Sequence, residues 1–169
     1  MTTKLYNPFL DFKFDKKTCF LTGNQLQSED DSISVFPEWM MQTFELQEKP
    51  FKMLDESFLT YGQLQIPCSS TAAAALAQIE YKVEDAMQSG YDAVNKLDQH
   101  TLFCWVAKIL YGVVFNEIQV GIRQSILSGE TMNFSQVLVQ KFRNLHAMLQ
   151  SILVPMEFEV TNPYRIEIF

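Results

Sequence analysis

The residues best suited to chemistry lie early in the chain. Cys19 opens the pentapeptide Cys19-Phe20-Leu21-Thr22-Gly23, and Cys68 stands before Thr71 at the same spacing. Two cysteines spaced C-x-x-C before a glycine form a tight knuckle. Both thiolates then face one Zn²⁺, and glycine takes the positive φ of the turn. Here threonine holds the second position of each pair. A neutral, hard hydroxyl does not replace a thiolate on zinc, so each pair keeps one thiolate only. Taken alone, C-x-x-T-G is also the sequence of an ordinary hairpin turn.

Other reactive groups are scattered. His100 and His146 fall on late helical stretches, and a lone histidine such as His146 reads as a surface or satisfied core residue. Asp11, Asp15, Glu29, Asp30 and Asp31 could offer oxygen ligands to Mg²⁺, but without diagnostic spacing. Lys13, Lys16 and Lys17 make a small basic cluster, for which solubility is the ordinary role.

The bulk properties bound the answer. A chain of 169 residues with 47% hydrophobic content builds one cored domain. A net charge of −7 and a pI near 4.8 exclude a phosphate-binding surface spread over the whole molecule. The N-terminus shows no basic-then-apolar leader, which predicts a cytoplasmic protein. Three widely spaced cysteines fit reduced thiols better than a disulfide framework.

These residues need elements to position them. Phe12 and Phe14 alternate with Lys13 and Asp15, which predicts a strand over 5–14, and residues 18–21 make a second strand entering the knuckle. Residues 33–36 read as a short strand, after which Pro37 opens a helix carrying Trp39, Met40, Met41 and Phe44. Residues 52–54 and 64–66 are weaker strands. A helix over 71–89 is capped by Ser70 or Thr71 and ended by Gly90. Asp98 caps a long apolar helix over 100–127, in which Lys108 and Glu117 interrupt any membrane-spanning run. It reads as a buried core helix. Asn133 or Ser135 caps a last helix ending before Pro155, and 156–160 with 164–169 alternate as a terminal β-hairpin.

Four segments in order resemble the HNH endonuclease superfamily, the treble-clef or ββα-metal proteins. They are Cys19-x-x-Thr22-Gly23, Ile33-Ser34-Val35-Phe36-Pro37-Glu38-Trp39, Cys68-x-x-Thr71-Ala72 running on to Ile79-Glu80, and Trp105-Val106-Ala107-Lys108. The branch concerned shows C-x-x-C-G, then [DE]-H-[IV]-[IF]-P-x-W, then C-x-x-C-N-x-x-W-x-x-x-L-E, then W-x-x-K. The resemblance implies a base histidine where this chain has Ser34, and a metal-binding acid where it has Ile33. It implies an asparagine at Ala72, and zinc thiolates at Thr22 and Thr71 as well as at Cys19 and Cys68. Serine takes no proton at neutral pH and isoleucine holds no cation.

The expectation is therefore an α+β, predominantly helical protein with a degenerate treble-clef-like ββα unit at its N-terminus, packed on long core helices. Its parts are an HNH-like remnant at 1–90, a helical core at 91–153 and a hairpin at 154–169, with room for a longer natural protein. The remnant positions are Cys19, Thr22, Ser34, Cys68, Thr71 and Ala72. No catalytic residue, metal or cofactor is expected. The function expected is binding or regulation, with a protein partner favoured over nucleic acid and no membrane. Two alternatives stand beside it: a metal-dependent nuclease with a rebuilt site, and a helical interaction domain with no HNH ancestry.

Overall fold

A computed structural model describes residues 5–10, 12–28, 31–129 and 135–156. The protein is α+β and predominantly helical, with a few short antiparallel strands. Its centre is α4, Gln99–Ser128, which touches α2 (Ser70–Ser89), α5 (Gln136–Leu149) and β4 (Gln65–Pro67). Cys104, Ala107, Tyr111, Phe115 and Ile118 are buried along it at the three-and-four spacing of one helical stripe. Asp98 starts it, its carboxylate accepting from the Thr101 N–H, and Gly129 ends it in the left-handed conformation. This helix is long and apolar enough to cross a membrane, but more than half of its most apolar window is buried in the fold.

The other elements dress this helix. α2, Ser70–Ser89, places Ala72, Leu76, Val83 and Ala86 inward, and its cap is Ser69, one residue before the expected position. A short α3, Tyr91–Val94, lies between Gly90 and Asp98, where no helix was expected. α5, Gln136–Leu149, follows Ser135 and buries Leu145, His146 and Leu149. Asn133 and the expected terminal hairpin lie outside the described residues.

The strands are short. β1, Ser32–Ser34, pairs antiparallel with β4, Gln65–Pro67, setting Ile33 against Ile66 and Ser34 against Gln65. β2, Pro50–Lys52, pairs with β3, Phe58–Thr60, an element the sequence reading missed. α1, Glu38–Thr43, follows Pro37 as expected, with the proline at the cap.

The expected strand pair over 5–21 does not form. The described residues there make turns, and their one β contact is an isolated bridge from Thr18 to Gln25. The alternating phenylalanines have another use. Phe9 and Phe12 each set a ring edge-on to Phe14, with centroids 5.1 Å apart, and Phe12 sits at φ 47°, which no strand allows.

One close approach holds β1 onto α4. A Cβ built on Gly112 would lie 2.6 Å from Val35 Cγ2, so the helix backbone rests on the end of the strand. Gly112→Ala is therefore expected to destabilise the protein by about 1–3 kcal/mol despite alanine's better helix propensity. A urea midpoint at or above that of the parent would contradict this.

Candidate functional site

The knuckle is built by its backbone. Gly23 N–H donates to the Cys19 carbonyl at 2.9 Å, and Cys19 N–H donates to the Asn24 carbonyl at 2.9 Å. Gly23 has φ +74°, and a Cβ there would strike the Tyr6 ring at 2.4 Å, so both conformation and space call for glycine. The turn is tied to distant chain by Phe20 N–H, which donates to the Pro67 carbonyl at 2.9 Å. Cys68 is tied in turn to the strand region by its N–H, donated to the Asp31 carbonyl at 3.0 Å.

These bonds bring Cys19 and Cys68 together. Both thiols are free and buried, and they share a side-chain hydrogen bond. That bond holds Cys19 well below the ordinary thiol range and pushes Cys68 above it, so the pair loses one proton before the other. Cys19 Sγ also lies 3.5 Å from Ser69 Oγ. The hydroxyls at this site are those of Thr22, which bonds the Cys19 sulfur, and Ser69. Thr71 is exposed in the first turn of α2 and does not close the cavity. Ala72 is fully buried, its N–H directed to Ser69 Oγ at 3.4 Å.

Beside the cysteine pair stands a buried lysine. Lys108 is only 2% exposed, and its ammonium donates to Ser34 O at 2.5 Å, Val35 O at 2.9 Å and Glu80 Oε1 at 2.7 Å. Burial lowers its pKa, while the Glu80 carboxylate works the other way. Ser34 Oγ accepts from Gln65 Nε2 at 3.1 Å and Ile33 faces Ile66 across the strand pair. Trp39 stacks on Trp105 with centroids 6.4 Å apart. Both indole N–H groups are buried and have no partner among the described residues, so packing alone holds the stack.

The remaining candidates fall elsewhere. His146 is a satisfied core residue: Nε2 lies 2.6 Å from the Phe20 carbonyl and Nδ1 lies 3.2 Å from Gln150 Nε2. Burial lowers its pKa to about 4, so it is neutral at physiological pH. Asp31 accepts from the N–H groups of Gln27 and Ser28, and Asp15 from that of Lys17, which are turn contacts. Asp11, Glu29 and Asp30 lie outside the described residues. Among the described residues no group of three His, Cys, Asp or Glu side chains could hold a metal ion.

Sequence reasoning missed one cluster. His100 Nε2 lies 2.7 Å from Ser151 Oγ and 3.5 Å from Cys104 Sγ. The His-x-x-x-Cys spacing on one helix face was the available signal. Burial pushes the Cys104 thiol up to about 11, so it is no thiolate at neutral pH. The Asp98 carboxylate is taken by Thr101, through its N–H at 2.8 Å and its hydroxyl at 2.7 Å. Comparison with known proteins returns no matching family model, no matching curated protein and no matching solved structure.

Proposed function

We propose that this chain is a catalytically inactive relative of the HNH endonucleases, acting as a binding or regulatory module. One observation supports the reading above the others. The four segments that carry the resemblance meet at one junction. There Cys19 touches Cys68, Lys108 joins Ser34 and Val35 to Glu80, and Trp39 lies on Trp105. The positions that would act on water hold Ser34 and Ile33, side chains used here to pair β1 with β4. A charge-balanced junction of ammonium, carbonyls and carboxylate and a two-thiol pocket can brace a frame but supply no general base near an open metal position.

Purified protein is expected to carry well under one zinc per chain by elemental analysis, because two thiolates do not close a tetrahedral site. It is also expected to leave duplex and single-stranded DNA uncut with Mg²⁺, Mn²⁺ or Zn²⁺. Cleavage that disappears in His100→Ala would establish a rebuilt active site and overturn the proposal. One zinc per chain, lost in Cys19→Ser, would restore the metal-holding reading.

A further inference from the structure

The basic cluster near the knuckle borders a cleft that the proposed scaffold role does not use. It has a volume of about 460 Å³ and lies between β1, β4 and α4, within the range of small-molecule sites. Two cations line it, Lys16 and Arg123, with no carboxylate among the described residues, although the chain has 20 Asp and Glu against 13 Lys and Arg. A second hollow shares Lys16 and Gln119 and adds Lys13, Asp15 and Lys17. Two described acids nearby have hydrogen bonds of their own: Asp15 accepts from Lys17 N–H, and Asp55, which feels the charge of Arg123, accepts from Ser57 and Gln124.

The carboxamides on the walls define the second half of the ligand. Asn116 commits its Nδ2 to Gln65 O at 3.0 Å and Gly112 O at 2.8 Å, which leaves Oδ1 as an acceptor. Gln65 commits Nε2 to Ser34 Oγ and Gly62 O, and Gln119 commits Nε2 to Phe14 O, which leaves two further carbonyl oxygens. Gln63 is reversed: its Oε1 accepts from Thr60 N–H at 2.8 Å, which leaves its amide as a donor. Three acceptors are thus oriented by bonds made through the other end of the same side chain. Such acceptors want hydroxyl or amino donors, and the cations want an anion.

From this we infer that the cleft binds a phosphorylated, hydroxyl-rich small molecule, a sugar phosphate either free or within a mononucleotide. Phosphate lies toward Lys16 and Arg123, and the hydroxyls face the carboxamide oxygens. The inference rests on the cleft alone and does not depend on HNH ancestry.

Isothermal titration of the full chain at low salt tests it, with ribose 5-phosphate, AMP, adenosine and inorganic phosphate as separate probes. Ribose 5-phosphate or AMP is expected to saturate with a Kd below about 1 mM, with adenosine and inorganic phosphate weaker by about tenfold or more. Equal binding of the two esters assigns the sugar phosphate as the recognised unit, and preference for AMP adds the base. The exposed pair Lys16→Gln with Arg123→Gln should weaken binding by about tenfold while leaving the thermal midpoint unchanged. No saturable binding of either ester overturns the inference, as does binding indifferent to the double substitution. Inorganic phosphate binding as tightly as the esters reduces the site to a plain anion patch and also overturns it.

Discussion

Lys108→Ala is expected to cost about 3–5 kcal/mol of folding free energy. The ammonium holds two strand carbonyls and the Glu80 carboxylate at once, joining β1, α2 and α4. Alanine leaves the carbonyls of Ser34 and Val35 without this donor and the carboxylate without its counter-charge. The double substitution Lys108→Met with Glu80→Gln removes both charges and fills the lysine's volume. It should recover a substantial part of the loss, because an apolar replacement for a buried pair is often close to neutral. Urea unfolding of the three proteins checks both statements. A loss below about 1 kcal/mol for Lys108→Ala would show that the junction is not under tension from burial.

Acid is expected to weaken the protein from about pH 6.5 downward, where a buried histidine begins to resist protonation. His146 has a folded pKa near 4 against an ordinary 6.5. Above 6.5 both folded and unfolded states hold the ring neutral, and its contribution is fully present. As pH falls from 6.5 toward 4, the unfolded chain takes up a proton that the folded chain refuses, and stability falls. The loss between pH 7.5 and 5 amounts to about 2 kcal/mol, and about 3 kcal/mol by pH 4. Burial causes the shift, opposed by the Phe20 carbonyl and by Cys19, while the Tyr6 and Tyr111 rings pack against the imidazole. His146→Gln should lower stability at pH 7.5 yet flatten its dependence on pH between 6.5 and 4.5. An unchanged slope would place the titration elsewhere.

The long helices were legible because each carries its own local signal, whereas the four residues of α3 do not. Asp98 marks a start by its side-chain carboxylate, Gly90 and Gly129 mark ends by their positive φ, and the stripe from Cys104 to Ile118 repeats at helical spacing. The N-terminal stretch misled because Phe12 and Phe14 alternate like strand residues, whereas the rings are there to pack on one another. β3 escaped notice because Phe58-Leu59-Thr60 shows no alternation of apolar and polar residues. At the site, the nearness of Cys19 and Cys68 was foreseen only through the resemblance, since the bonds that join them run between remote backbones. Thr71 was misplaced for a local reason: the first turn of α2 sends it to solvent, and the cap Ser69 takes the inward place. The carboxamide cleft had no sequence signal at all, because its walls come from Lys16, β1, β4 and α4.

The bonds that close the knuckle also set an order of events on the ribosome. The Phe20 carbonyl meets His146 across 126 residues, and the main chain of Tyr6 is held by the Gln150 side chain through contacts of 2.9 and 2.8 Å across 144 residues. At about 5–20 residues per second, the first of these partners is made roughly 6–25 s after the residue it must satisfy. Throughout that interval the nascent N-terminal segment has an incomplete core, with Phe9, Phe14 and Phe20 lacking their later cover. This is when an apolar-binding chaperone has its opening, and a slow codon run placed before α5 would lengthen it.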